Sequence, residues 1–245
     1  MAEHQTVTRA EWVAARQALL AEEKAWTRER DRLSDKRRAL PWVKVHKTYA
    51  FEGADGPVTL AELFDGRSQL AVYHFMFGPD WQEGCPGCSF LCDQVDGARQ
   101  HFEHADLSFV AVSRGPIDKL TAYRERMGWA FRWVSSAGSD FNLDYHVSFP
   151  THEDGVFYNF EDAPDPGTDE LPGVSVFYRD EDGAIFHTSS CFGRGGEVLL
   201  PAYSWLDMAP RGRLEGNTGD MNDWMRRHDR YDDDGRTRGP GLGAP

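Results

Sequence analysis

The apolar run Leu70-Ala-Val-Tyr-His-Phe-Met-Phe77 is followed by a turn and then by Gly84-Cys85-Pro-Gly-Cys88-Ser89, with a stretch of helical character beyond it. This order restricts the fold more than any other feature of the chain. A strand that ends in a turn and feeds two cysteines into the first turn of a helix places sulfur beside unpaired backbone N–H groups and the positive end of the helix dipole. Both stabilise a thiolate, and a second cysteine three residues on can close a disulfide. The alternative use of such a pair is half of a zinc site. No second Cys-x-x-Cys and no His-x₃-His follows at the spacing zinc requires.

The rest of the composition limits the surroundings of that pair. With 245 residues, 40% hydrophobic and 13% aromatic, the chain has enough apolar material for a sizeable core. A formal net charge of −13 disfavours nucleic acid and anionic membrane surfaces as partners. The first residues lack the basic and apolar regions of a secretory signal, and no apolar run approaches the roughly 20 residues of a membrane span. Four cysteines, three of them within eight residues, do not make a disulfide scaffold. The expected compartment is the cytoplasm.

Residues 1–40 read as a helical arm. Thr8 and Glu11 form a capping-box pattern, Trp12, Leu19 and Trp26 mark an apolar face, and Pro41 ends the run. Residues 43–51 alternate as a strand does, and Gly53–Gly56 is a turn. Strand and helix then alternate: Leu70–Phe77, a helix from Cys85 to about His104, Leu107–Val112, a helix over Ile117–Met127 stopped by Gly128, and Phe131–Val134. This order argues for a mostly parallel central sheet. Residues 150–171, acidic and rich in Pro and Gly, read as an inserted loop. Val174–Tyr178 and Ala184–His187 form a hairpin, and Pro201–Met208 a helix. Residues 41–231 are thus expected to be one domain, and 232–245 a mobile charged and Gly/Pro-rich tail.

Several stretches resemble the bacterial thioredoxin-like domain-of-unknown-function family 899. They are Arg38-Ala-Leu-Pro-Trp-Val43, Tyr73-His-Phe-Met-Phe-Gly-Pro-Asp-Trp81, Gly84-Cys-Pro-Gly-Cys-Ser89, Arg126-Met-Gly-Trp129, Leu171-Pro-Gly-Val-Ser-Val-Phe177 and Trp224-Met-Arg-Arg-His-Asp229. The resemblance implies an α/β thioredoxin-like fold with a central mixed sheet flanked by helices, plus the N-terminal arm. A more distant similarity, through Phe77–Pro86 and Ser139–Val147, is to peroxiredoxins, and it maps the peroxidatic role onto Cys85. Peroxiredoxins carry Thr or Ser three residues before that cysteine, and this chain has Gln82.

The residues expected to carry chemistry are Cys85 as nucleophile, Cys88 as resolving thiol, Asp80 and Trp81 in the preceding turn, and Arg114 at the carboxyl end of the second strand, where sites on open α/β sheets gather. Trp81 would shield the thiol or pack the loop. Arg114 would hold a thiolate or an anionic substrate, or form a surface ion pair. Asp93 is a proton acceptor for Cys88 if buried, and otherwise an exposed helix carboxylate. Cys92 reads as a buried small hydrophobe and Cys191 as structural. His74, mid-strand, reads as a hydrogen-bonded core histidine.

The expected activity is exchange with a small-molecule or protein disulfide, or reduction of a small oxidised substrate, without a cofactor. Three other readings compete with it. Cys85, Cys88 and Cys92 with a histidine (His101, His187 or His228) could hold copper or zinc. A peroxiredoxin-like peroxidase would use Cys85. A redox-inert binding module would use the aromatic loop and the acidic insertion. Trp12 and Trp26 are costly to leave in water, so the arm is expected to pack on the domain or on a second copy, as a homodimer would allow.

Overall fold

β-branched and aromatic runs form the middle of the molecule, and every chemical feature hangs on the sheet they make. The computed structural model describes residues 5–213, 215 and 224–231. The chain falls into two units, Met1–Val43 and Lys44–Pro245.

The first unit is essentially one helix, α1 (Arg9–Arg38). The Thr8 hydroxyl accepts from the Glu11 N–H at 3.3 Å, and the Glu11 carboxylate accepts from the Thr8 N–H at 2.9 Å. This reciprocal cap satisfies two otherwise orphaned donors. Lys36, Arg37 and Arg38 complement the dipole in the last turn. Trp12 and Trp26 are exposed on this helix. The guanidinium groups of Arg9 and Arg30 lie over their rings at 4.5 and 5.3 Å from the centroids.

The strand β1 (Val43–Lys44) falls at the boundary, and the second unit holds β2 (Ala50–Gly53), β3 (Gly56–Thr59) and β4 (Gln69–His74). It continues through α2 (Pro86–Cys92), α3 (Val95–His104), β5 (Leu107–Ser113), α4 (Ile117–Arg126), β6 (Arg132–Ser135) and α5 (Phe141–Asp144). A small hairpin, β7 (Val156–Tyr158) and β8 (Glu161–Ala163), precedes β9 (Gly173–Arg179), β10 (Ile185–Phe192) and α6 (Pro201–Met208). The main sheet has the order β1-β10-β9-β4-β5-β6-β2-β3. β4, β5 and β6 are parallel, whereas β9, β10, β2 and β3 join antiparallel. The sheet is therefore mixed, with parallel pairing confined to its middle. A central strand that delivers a cysteine pair to a helix start, with a later antiparallel hairpin on one flank, is a thioredoxin-like α/β fold.

The two faces of the sheet bury different clusters, as the period-2 alternation of β4 dictates. Leu70 and Vals 72, 110, 112 and 134 pack with Phe64, Phe141 and Phe177 on one face. Tyr73, Phe75, Phe77, Ala111 and Trp133 pack on the other with Cys88, Cys92, Tyr203 and Met225. The cysteines belong to this second face. His74 is a core residue: it is buried, its Nε2 lies 2.9 Å from the Ser175 hydroxyl, and burial pushes it down to about 3.

Several boundaries differ from the sequence expectation. Residues 43–51 are not one strand: the Val45 N–H still bonds to the Ile185 carbonyl at 2.8 Å, but the chain then leaves β10 and pairs next with β3 from the Tyr49 carbonyl onward. The helix expected from Cys85 to His104 is two helices, broken at Asp93-Gln94. There the Gln94 amide donates to the Phe90 carbonyl at 2.8 Å and accepts from the Ala202 N–H at 2.7 Å, tying the break to α6. β4 ends at His74, and residues 75–77 run on along β5, with the Phe75 N–H bonding to the Val112 carbonyl at 2.9 Å. The acidic insertion holds the β7–β8 hairpin. The expected tail, 232–245, lies outside the described residues. Among the described residues no helix is long and apolar enough to cross a membrane.

Candidate functional site

The turn between β4 and α2 is built from small residues and backbone bonds. The Trp81 N–H donates to the Gly78 carbonyl at 3.2 Å, and the Trp81 ring lies so close to Gly78 that a Cβ there would sit 3.1 Å from it. Lys119 donates to the carbonyls of Pro79 and Trp81 at 2.7 and 3.0 Å. Gly84 sits against the Phe75 ring, where a Cβ would come within 2.6 Å. The Cys85 N–H then bonds to the Met76 carbonyl at 3.1 Å, which anchors Cys85 to the end of the strand. Cys85 is the N-cap of α2, and Pro86, with no N–H to leave unsatisfied, occupies the first turn.

The two thiols of the pair are unlike. Cys85 is partly exposed, and its Sγ accepts from the Cys88 N–H at 3.5 Å. Its pKa is lowered to about 7, first by the hydrogen bond from the Cys88 thiol, then by the backbone N–H groups of Cys88 and Gly87, with a further pull from the Arg227 guanidinium; burial opposes these. Cys88 is buried. Desolvation, then donation to Cys85, pushes its pKa well up, while the Tyr73 hydroxyl and the Met76 N–H (3.5 Å from Sγ) pull the other way. All four cysteines are thiols.

The pair opens on a cavity of about 270 Å³. Its wall includes Tyr73, Met76, Leu91, Leu171, Val174 and Cys191. Cys191 arrives by register: Tyr73 pairs with Val174 across β4 and β9, and Val174 with Cys191 across β9 and β10. Partners directly opposite in a sheet share a face, so all three point to the side that holds Cys88. Cys191, expected to be structural, is therefore a third thiol on the same cavity.

Other expected site residues lie elsewhere. Asp80 is exposed in the turn, Trp81 packs against the core, and Arg114 pairs with Asp169 and the buried Glu170. None of the three lines the cavity. Arg114 instead ties down the acidic stretch just before Leu171–Val174, which forms one wall. Asp93 is held by the Trp129 indole at 2.8 Å and by His228 at 2.6 Å. Cys92 is fully buried in the core, one turn past Cys88. Among the described residues no three His, Cys, Asp or Glu side chains gather as a metal-ligand set.

Sequence reasoning missed two contributors. Arg227 donates to the Gly84 carbonyl through Nε and Nη2 at 3.0 and 2.6 Å and to the Tyr123 hydroxyl at 3.1 Å. Its only signal was its place in the Trp224–Asp229 stretch of the resemblance. The Tyr158 hydroxyl donates to the Pro172 carbonyl and accepts from the Gly193 N–H at 3.0 Å, clasping two rims of the cavity.

The model of a family described as bacterial protein of unknown function (DUF899) matches residues 1–231. No curated protein sequence matches the chain. Among solved structures, it is similar to the peroxidoxin BcpB of Mycobacterium tuberculosis (14% identity, 66% of this chain and 94% of that one, TM-score 0.46). It is also similar to peroxiredoxin Q of Xanthomonas campestris (14% identity, 64% and 90%, TM-score 0.44). A third is the mitochondrial 2-Cys peroxiredoxin of Plasmodium falciparum (15% identity, 68% and 92%, TM-score 0.38).

Proposed function

The chain belongs to the bacterial DUF899 family, and we propose that it is a thiol–disulfide oxidoreductase with Cys85 as nucleophile and Cys88 as resolving thiol. One observation carries the reading: adjacent thiols on one helix start are driven in opposite directions, Cys85 down to about 7 and Cys88 well up. A thiolate near neutral pH is what attack on a disulfide requires, and a buried protonated neighbour is held back until the first step is over.

The Cys85 thiolate attacks one sulfur of a disulfide R–S–S–R′, forming a Cys85–S–S–R bond and expelling R′S⁻, which takes up a proton. Cys88 then loses its proton and attacks Cys85 Sγ, expelling RS⁻. Two electrons pass from the protein to the substrate, giving two small thiols and a Cys85–Cys88 disulfide. Return to the dithiol needs an external dithiol reductant. Tyr73, hydrogen-bonded to Cys88, stabilises the second thiolate as it forms. Arg114 and Trp81 act as positioning residues for the Leu171–Val174 wall and the turn, and no role follows for Asp80.

The test is trapping. Reduced Cys88→Ser should accumulate a mixed disulfide on Cys85 with bis(2-hydroxyethyl) disulfide, wild type should lose two alkylatable thiols, and Cys85→Ser should do neither. Intact mass and peptide mapping after alkylation read all three, and Cys85 and Cys88 both remaining alkylatable in oxidised wild type would sink the proposal. Peroxide reduction also needs a donor set for the breaking O–O bond. Gln82 offers no hydroxyl, and its amide contacts the Asp80 carbonyl at 3.4 Å. Hydrogen peroxide should therefore oxidise Cys85 slowly in stopped flow. A rate in the enzymatic range of about 10⁴–10⁸ M⁻¹s⁻¹ would make the protein a peroxidase instead.

A further inference from the structure

We infer that the cavity beside Cys85 selects its substrate: an uncharged small disulfide carrying a short alkyl chain or a single ring, with that apolar group seated between Leu91, Leu171, Val174 and Leu200. The inference rests on Cys85 and Cys88 being the reactive pair and adds what they act on.

Size comes first. At about 270 Å³ the cavity falls just under the roughly 300–1,000 Å³ of sites that take drug-sized ligands. It has room for one short chain or ring and none for a folded segment of polypeptide.

The wall decides the chemistry. The lining includes Met76, Leu91, Leu171, Val174, Phe192 and Leu200, and among the described lining residues there is no Lys, Arg or His to meet an anion. The one charged lining residue, Glu197, carries negative charge and is already paired with Arg213 at 3.0 Å and Arg194 at 2.8 Å. An anionic disulfide would enter without a counter-ion, and a cationic one would compete with two arginines for a single carboxylate.

The cavity is also preformed. The Tyr158 hydroxyl holds the Pro172 and Gly193 rims together. Gly173 lies against the Phe192 ring so closely that a Cβ would come within 2.6 Å. A wall fixed this way offers its apolar surface without a cost of ordering, which is where binding selectivity is otherwise lost. Because the reactive Cys85 and the buried Cys88 both belong to that wall, a chain seated in the cavity keeps its sulfur at the pair.

Two homologous series test this on the full-length reduced protein: dialkyl disulfides from methyl to butyl, followed by loss of thiols, and N-alkylmaleimides from methyl to butyl, followed by mass at Cys85. Rates are divided by those of a free small thiol to remove intrinsic reactivity. A fully buried methylene is worth about fourfold, so both series should rise two- to fourfold per carbon, and an anionic disulfide such as dithiodiglycolate should be slower than the diethyl compound. Leu171→Trp and Val174→Phe, each checked for a native melt, should flatten both slopes by filling the cavity. Flat series in wild type, or slopes that survive both filled variants, overturn the inference. A maleimide slope without any disulfide reaction would leave the apolar site standing and remove the exchange reading. Rapid disulfide reaction with flat series would do the reverse.

Discussion

Arg227 lies 143 positions after Gly84 in the chain, yet its Nε and Nη2 hold the Gly84 carbonyl at 3.0 and 2.6 Å, one residue before Cys85. The same guanidinium pairs with Glu83 at 3.0 Å and contributes to the lowered pKa of Cys85. One cation thus fixes the backbone of the cysteine turn and biases its charge.

Arg227→Ala should therefore act twice. Removing the charge raises the Cys85 pKa, so iodoacetamide alkylation at pH 7 should slow by about two- to fivefold, each pKa unit being worth about 1.4 kcal/mol. Releasing the Gly84 carbonyl should cost about 1–3 kcal/mol in urea unfolding. Arg227→Lys should recover part of the rate and less of the stability, since an ammonium keeps the charge but loses the forked donors. Equal loss in both variants would mean the charge plays no part.

The lowered Cys85 pKa ties stability to pH. The folded value is about 7 against 9.0 when unfolded. Its stabilisation is therefore complete above 9 and is lost as pH falls from 9 through 7, a ceiling of about 2–3 kcal/mol. Cys88 has the opposite sign: its folded value is raised, so stability declines once pH passes 9 and the unfolded thiol ionises. Urea midpoints of the reduced protein should climb from pH 7 toward 9 and then turn over. In Cys85→Ser the climb should be absent; a climb of undiminished size would refute the assignment.

Gly84→Ala places a methyl carbon 2.6 Å from Phe75 Cε1 and 3.1 Å from Tyr123 Cε1. Both rings are buried, so neither can swing aside freely. The expected loss is about 1–3 kcal/mol, the usual range for overpacking. Gly84→Ala combined with Phe75→Leu should recover part of it, and thermal melts of both variants decide the point.

Arg114 is the counter-ion of Glu170, which is 2% exposed. Arg114→Ala leaves that carboxylate buried and unpaired, a loss of about 3–5 kcal/mol. It should also loosen the Leu171–Val174 wall and increase amide exchange there. Arg114→Met with Glu170→Gln should regain most of the stability. If the single variant melts as wild type does, the pair is not holding the wall.

Much of the fold was legible in residue order. The apolar run over 107–112, the helix stop at Gly128 and the Thr8/Glu11 cap are local devices, settled by dihedral preference and nearby hydrogen bonds. The placement of Cys85 at a helix start followed the same logic, because a strand, a turn and Pro86 leave the chain few other paths. The break at Asp93-Gln94 was not legible, since the partners that make it, Trp129, Ala202 and His228, lie far along the chain.

What only the tertiary structure decided is clearest at Cys191. Along β10 the register with β9 shifts by one residue between His187 and Ser189. Because side chains alternate faces with period 2, such a slip reverses the direction of every residue beyond it. Without the shift Cys191 would oppose Gly173 and face away from the pair; with it, Cys191 opposes Val174 and lines the cavity. Arg227 is decided in the same way, by where the chain returns rather than by its neighbours. The sequence by itself determined that a cysteine pair would sit at a helix start, because local backbone physics suffices for that. Long-range register and chain return chose the third thiol, the cation and the apolar wall around it, and those are contacts no local preference encodes.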